Sequence, residues 1–337
     1  MSNIQFAFLL YILILNSTIT LFKHTFYDIT TKNRLTNNKV CLIIVDGLRL
    51  DAINNMPYIQ NLIKTNEAKF SISIADNPTI SRSGYMRILT GCPTDISGIS
   101  SNSQHLPSPI LGVPQLAVQY NIKTALCGYY WIYELFPFAF YFKRIYFIRD
   151  GTTFKNAYSI IDEYEPDFLI VHPMSVDNIG HSYGGSSIFY FKEACNIDNS
   201  LKTLCNKLQK HNYNIIITSD HGHQNYGGHT NYEPNTFLTP FILISNNLNI
   251  NPPLYIKQID IAPTLCDLLG IPKTLYMTGN SLINNKDIVY LRRLHIYDFN
   301  RPFDYNLNLS ILITNIILLI HLIVYYYIIC LIKKLIK

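Results

Sequence analysis

Four short apolar runs punctuate the middle of the chain: Val40–Val45 (VCLIIV), Asp167–His172 (DFLIVH), Tyr213–Ser219 (YNIIITS) and Phe237–Ile244 (FLTPFILI). Runs of this length that are apolar on both faces predict central strands of a parallel sheet covered by helices. Between them, apolar residues recur at helical spacing over Pro57–Thr65, Phe154–Tyr164, Ser186–Gln209 and Gln258–Leu269. Strand-like and helix-like segments alternate, which predicts an α/β domain. With no repeat or low-complexity linker in between, residues 40–285 are expected to form one catalytic domain.

The two ends have a different pattern. From Ile4 to Phe22 the polar residues are Gln5, Asn16, Ser17, Thr18 and Thr20; from Leu309 to Ile332 they are Ser310, Thr314, Asn315 and His321. About 20 apolar residues cross a bilayer core. Residues 309–332 are therefore expected to be a transmembrane helix, and residues 1–22 a membrane anchor or a signal peptide. Linkers over 23–39 and 286–308 and a basic tail over 333–337 complete the expected organisation. Lys333, Lys334 and Lys337 place that tail in the cytoplasm by the positive-inside rule, so the domain between the anchors is expected on the extracytoplasmic or lumenal side.

Composition agrees with a folded, membrane-associated chain. Of the 337 residues, 48% are hydrophobic and only 15% charged, which excludes a disordered chain. Mean hydropathy is +0.12, high for a soluble enzyme. The net charge of +5 is dispersed, so no nucleic-acid partner is expected. Seven cysteines without a CxxC pair do not make a disulfide scaffold; most are expected to be buried thiols, with a Cys195–Cys205 bridge left open.

Chemistry-bearing residues gather where the apolar runs stop. Asp46 follows the first run, Asp177 and His181 the second, and Asp220 and His221 the third, with His229 just beyond Gly227 and Gly228. Ligands of open α/β sheets bind at the carboxyl ends of strands. One Asp at such a place is explained by helix capping or a turn; three strand ends that all deliver Asp are not. Carboxylate and imidazole donors without thiolates suit Zn, Mn or Fe and argue against a structural zinc finger. Six such residues suffice for two three-ligand sites. His223 and Asp51 have weaker claims, as an exposed loop histidine and a turn cap. His105, His172, His211 and His295 lack ligand-like spacing and are expected in the surface or the core. A second feature is the hydroxyl-rich stretch Asn77–Tyr85, just ahead of a helical run ending at Gly91. A hydroxyl at a helix N-terminus meets the positive end of the dipole, where an attacking alkoxide and a phosphate are both favoured.

Five ordered motifs make the chain similar to the alkaline phosphatase superfamily, and more closely to its type I phosphodiesterase/nucleotide pyrophosphatase branch. They are VDGLRLDA (Val45–Ala52), PTISRSGYMRILTG (Pro78–Gly91), VDNIGHSYGG (Val176–Gly185), SDHGHQNYGGH (Ser219–His229) and DIAPTLCDLLGIP (Asp260–Pro272), together spanning about 230 residues. The resemblance implies a three-layer α/β sandwich around a central mixed sheet, flanked here by the N- and C-terminal membrane helices. It implies two divalent metals, commonly zinc with manganese as an alternative. Asp177, His181 and His229 would hold one; Asp46, Asp220 and His221 would hold the other together with the nucleophile. Counting back from Thr90-Gly91 puts the nucleophile at Ser81, with Thr79 in reserve. Arg82 and Gly84 fall beside the substrate. Gly84 stands where nucleotide-cleaving members carry an Asn that clamps a phosphate oxygen, which weakens the implication of a nucleotide.

The implied function is a membrane-anchored phosphoric ester hydrolase of the phosphodiesterase/pyrophosphatase type, working through a covalent phospho-Ser81; its phosphodiester substrate is left open, a lipid or lipid-linked diester being favoured if the aromatics of Tyr129–Tyr146 line the pocket. An alternative comes from SRSGY and from Phe26-Tyr-Asp-Ile, which are similar to the catalytic part of glycosylphosphatidylinositol ethanolamine-phosphate transferases. A third reading is a non-catalytic binding protein that kept the fold. The dense aromatics of Tyr129–Tyr146 suit a substrate wall, a membrane contact or the core. The sequence leaves the oligomeric state open.

Overall fold

A computed structural model of the chain describes residues 34–146, 152–230, 233–245 and 250–283. The expected membrane segments 1–22 and 309–332, the linker 286–308 and the basic tail 333–337 lie outside these residues, as does most of the linker 23–39. Among the described residues no helix is long and apolar enough to cross a membrane.

Among the described residues, eight strands form one sheet: β1 (Lys39–Ile44), β2 (Lys69–Ile74), β3 (Thr124–Tyr129), β4 (Phe142–Tyr146), β5 (Phe168–His172), β6 (Tyr213–Thr218), β7 (Leu238–Ile244) and β8 (Tyr255–Lys257), in the spatial order β4-β3-β5-β1-β6-β7-β2-β8. The four runs predicted as strands are β1, β5, β6 and β7. The first three pair in parallel, but β7 runs antiparallel to both β6 and β2, so the sheet is mixed.

Helices cover both faces, and the period of two along each strand divides the core between them. Val40, Leu42 and Ile44 of β1 pack with Phe168 and Ile170 under α2 (Ser81–Thr90), α3 (Val113–Gln119), α4 (Tyr130–Leu135) and α8 (Ile261–Leu269). Cys41 and Ile43 face the other way with Leu169, Val171, Ile215 and Ile217, against α1 (Pro57–Lys64), α5 (Thr153–Tyr164) and α7 (Ile188–Lys210). The result is a helix–sheet–helix sandwich. A nine-residue helix, α6 (Ser175–Tyr183), joins β5 to α7 at the sheet's carboxyl edge.

Helix ends are fixed by side chains the pattern alone does not reveal. Proline opens α1, and Asp198 from α7 accepts hydrogen bonds from the backbone N–H of Tyr58 (2.7 Å) and Ile59 (3.0 Å). Ser187 caps α7 by accepting from Tyr190 N. Cys195 and Cys205 are free thiols, so no bridge joins them.

Candidate active site

Because β5, β1 and β6 are neighbours and parallel, their carboxyl ends open on one edge. Ile44 lies opposite Thr218, so Asp46 and Asp220 stand the same short distance past their strands. The turn after β1 is tight. Gly47 has φ +69°, a conformation that favours glycine, and a Cβ there would meet Cα and Cβ of Asp177 at 2.9 Å. Its N–H donates to Asp220 Oδ1 at 3.1 Å. The first turn of α6 supplies Asp177 and its last turn His181, four residues apart and so on one face.

These residues fall into two groups of potential metal ligands. Asp46, Asp220 and His221 make one, fully buried; Asp177, His181 and His229 make the other, reaching solvent at His181. In the first, His221 Nε2 lies 3.7 Å from Asp46 Oδ1 and 3.3 Å from Asp220 Oδ2. In the second, Asp177 Oδ1 is 3.6 Å from His181 Nε2 and 4.0 Å from His229 Nε2. The His221 and His229 rings stack with centroids 3.8 Å apart and join the groups.

The hydrogen bonds around the groups set their donor character. His221 Nδ1 donates to Gly222 O (3.0 Å) and His229 Nδ1 to Thr79 O (2.6 Å), leaving each Nε2 with its lone pair turned inward. His229 Nε2 faces His181 Nε2 at 3.1 Å. Among the described residues, Asp46 Oδ1 and Asp220 Oδ2 are buried without a hydrogen-bond donor. Burial and the charges of Asp46 and Asp177 push the Asp220 carboxyl well up. Burial, then the charge of Asp46, pushes Asp177 up to about 7. Burial pushes His221 and His229 down, so both are held neutral. Crowded acids with orphaned oxygens, facing neutral imidazole lone pairs, are strongly unfavourable alone and become favourable around cations. The donor set fits divalent metals of the zinc class.

Ser81 is the first residue of α2, with Ile80 as the N-cap. Its hydroxyl is therefore not engaged in capping its own helix, and Oγ lies 3.1 Å from His221 Nε2. Thr79 is placed differently. Its hydroxyl donates to His229 O while its own carbonyl accepts from His229 Nδ1, a reciprocal clamp. Of the two hydroxyls, Ser81 faces the cluster and Thr79 holds the loop that carries His229. Arg82, expected beside the substrate, has a fully buried guanidinium bound to Glu134, Gln104 O (3.1 Å) and His105 Nδ1 (3.0 Å), with Trp131 beneath it. It anchors the first turn of α2.

Gly84 is a packing glycine: a Cβ there would lie 2.7 Å from Asp220 Cβ and 2.9 Å from Asp220 O. Gly84→Ala should cost about 2 kcal/mol of stability despite alanine's better helix propensity, because backbone must move to admit the methyl. Metal uptake should weaken with it, as Asp220 is displaced. Thermal unfolding and metal titration check both effects.

Two histidines outside the expected ligand set stand inside the site. His172, the last residue of β5, is buried with Nε2 3.0 Å from Asp46 Oδ2; the Tyr85 hydroxyl donates to the same oxygen. Together they turn the other Asp46 oxygen toward the cluster. His223, expected in an exposed loop, is buried with Nε2 2.8 Å from Asp177 Oδ1. Asp51 caps no turn and pairs with Arg49 at 2.6 Å. The sequence places His172 at the end of a strand-like run, but only the pairing of β5 with β1 brings it beside the residue following β1.

Residues 142–253 match the family described as type I phosphodiesterase / nucleotide pyrophosphatase. The chain is 25% identical over 264 residues to the catalytic subunit of GPI ethanolamine phosphate transferase 2 of Homo sapiens, covering 70% of this chain and 26% of that protein. It is 28% identical over 280 residues to GPI ethanolamine phosphate transferase 2 of Schizosaccharomyces pombe, covering 70% of this chain and 36% of that protein. The chain thus spans about a third of the length of these relatives. Its fold is that of murine ectonucleotide pyrophosphatase / phosphodiesterase 5, with a TM-score of 0.58, 12% identity, and coverage of 70% of this chain and 97% of that one. The proteins it resembles are phosphodiesterases and phosphoethanolamine transferases. In sequence this chain is thus similar to the type I phosphodiesterase / nucleotide pyrophosphatase family over residues 142–253 and to GPI ethanolamine phosphate transferases, and in fold to an ectonucleotide pyrophosphatase / phosphodiesterase.

Proposed function

We propose that this chain is a metal-dependent phosphotransferase that moves phosphoethanolamine from a lipid phosphodiester to a hydroxyl of a lipid-linked glycan, through a covalent intermediate on Ser81. The observation that carries this reading is the Ser81 hydroxyl, 3.1 Å from His221 Nε2 at the meeting point of two three-ligand groups. The GPI ethanolamine phosphate transferases among its relatives support the transferred group and the acceptor.

Asp46, Asp220 and His221 would hold one divalent ion and Asp177, His181 and His229 the second. Such ions, zinc by donor chemistry or else manganese, make a hydroxyl nucleophilic at neutral pH and offset charge on the phosphoryl oxygens. The chain's own residues do the rest. The first turn of α2, anchored by Arg82, aims Ser81 Oγ at the phosphorus. Tyr85 and His172 fix Asp46, while Thr79 fixes His229. Ser81 Oγ forms a bond to phosphorus as the bond to the departing alcohol breaks, and the serine's proton ends on that alcohol. In the second half the acceptor oxygen bonds to phosphorus, Ser81 leaves, and the acceptor's proton returns to it.

A second reading is hydrolysis, in which water is the acceptor; the type I phosphodiesterase / nucleotide pyrophosphatase match over 142–253 favours it. Incubation of the full chain with headgroup-labelled phosphatidylethanolamine and a mannose-bearing glycolipid separates the two. Label on the glycolipid, lost on chelation and restored by zinc or manganese, is the expected result. Label released only as free phosphoethanolamine would overturn the transferase in favour of the hydrolase.

A further inference from the structure

Four large apolar side chains stand out in solvent beside the open end of the ligand groups. Tyr183 is 56% exposed, Ile188 77%, Phe189 54% and Tyr226 99%. Tyr183 ends α6, the helix that carries Asp177 and His181; Ile188 and Phe189 begin α7; Tyr226 lies in the loop between His221 and His229. The segments form one surface. Tyr183 and Phe189 rings pack with centroids 4.7 Å apart. Gly185 N donates to Gln224 O (2.9 Å) and Ser186 N to Asn225 O (3.3 Å), and Gly184 lies against the backbone of Tyr226. Neither Tyr183–Phe189 (YGGSSIF) nor Gln224–Gly228 (QNYGG) contains a charged residue. His181, half exposed at the head of the second group, lies in the last turn of α6, two residues before Tyr183.

Exposed apolar side chains in such a cluster mark an interaction surface. We propose that Tyr183, Ile188, Phe189 and Tyr226 enter the interfacial layer of a lipid bilayer, so that the mouth of the site meets a phosphodiester still held in the membrane. This deepens the reading above and rests on its lipid-held substrate. Tyrosine rings with an apolar body and a polar tip suit the headgroup level of a bilayer. Four residues are far fewer than the 20–30 a side that a stable protein partner engages. A bilayer is also within reach. The apolar stretches ending at Phe22 and beginning at Leu309 are about 12 and 25 residues from the described domain, spans of roughly 40 and 80 Å when extended.

The test uses the chain's single tryptophan. In a Trp131→Phe background, Tyr226→Trp is made in the full chain, with Tyr255→Trp as the reference; Tyr255 is 58% exposed on β8, the edge strand. Each protein is incorporated into phosphatidylcholine–phosphatidylethanolamine vesicles with and without acyl-brominated phosphatidylcholine. The expected result is a loss of about half of the emission for Tyr226→Trp and little change for Tyr255→Trp. No quenching of Tyr226→Trp, or equal quenching of both, would overturn the proposal. So would a change of oligomeric state in Tyr226→Ser, which would assign the patch to a second copy of the chain. Ile188→Ser/Phe189→Ser adds an activity readout: turnover of vesicle-held phosphatidylethanolamine should fall about tenfold, while a soluble aryl phosphodiester is cleaved within twofold of the parent. Equal rates on both substrates would overturn the docking role. A parent inactive on both would instead overturn the proposed function and leave the quenching result standing.

Discussion

Ser81→Ala is expected to lower turnover of any phosphodiester by about a thousandfold or more and to abolish the covalent phosphoenzyme. The change removes one hydroxyl from the first position of α2, where it caps nothing, so folding and metal content should be unaltered. Thr79→Val should behave differently. It cuts the hydroxyl half of the clamp on His229, so it should weaken metal binding at the Asp177 group while the phosphoenzyme still forms in excess metal. Rapid quenching with a labelled diester, alongside metal analysis of each variant, makes the comparison. A phosphoenzyme that survives Ser81→Ala and disappears in Thr79→Val would transfer the nucleophile to Thr79.

Removing metal should make the protein less stable, and more so as pH rises above neutrality. Asp177 and Asp220 have carboxyls raised in the folded state, Asp177 to about 7. A raised folded pKa contributes stability that is complete below the unfolded value, near 4, and is lost as pH climbs through the folded one. The buried imidazoles act in the opposite sense. His221 and His229 are pushed down and His223 to about 4, so their contribution is lost as pH falls below about 6.5. Between pH 6.5 and 8 the unfolded imidazoles lose most of their remaining protons, so the raised carboxyls increasingly dominate the difference between the two states. The metal-free protein should therefore lose up to about 1.4 kcal/mol per pH unit for each proton released. Bound ions take over the role of those protons, so the gain in Tm on adding zinc should be larger at pH 8 than at pH 6.5. Calorimetry of metal-free and zinc-loaded protein at both pH values measures this. A gain that is absent, or larger at pH 6.5, would count against the carboxylate clusters as metal sites.

The parts of this fold that were legible in the sequence are those whose apolar pattern is continuous. VCLIIV and YNIIITS are buried on both faces and announce themselves as β1 and β6. KFSISI, which forms β2, alternates serine with apolar residues, and the serines, Ser71 and Ser73, are the buried ones; β8 is three residues long; neither stands out from a loop. The antiparallel direction of β7 depends on the path of the chain between strands, which an apolar run does not encode. At the site, Asp46, Asp220 and His221 could be read from the ends of strand-like runs, Asp177 and His181 from a spacing of one helical turn, and His229 from its place beyond Gly227 and Gly228; the structure brings them into two groups. His172 and His223 were not, since each meets its carboxylate only across the fold: His172 is 126 residues from Asp46 and His223 46 from Asp177. The same holds for Arg82, whose counter-ion Glu134 is 52 residues away.

The central place of β1 bears on how the protein is made. It is an early segment of the described chain, yet its pairing partners lie far downstream: Val40 is matched with Phe168, and Lys39 with Tyr213. At a synthesis rate of about 5–20 residues per second, β6 follows β1 by on the order of 10–30 s. Until β5 has been made, VCLIIV has neither neighbouring strand to pair with, and it gains the second only with β6. A newly made chain therefore carries an uncovered, aggregation-prone segment until its second half arrives, and chaperone capture at β1 becomes a natural stage of biogenesis. Asp46 comes together with Asp220 and His221 only once β6 has docked, so a finished ligand set also reports that the sheet has closed around its first strand.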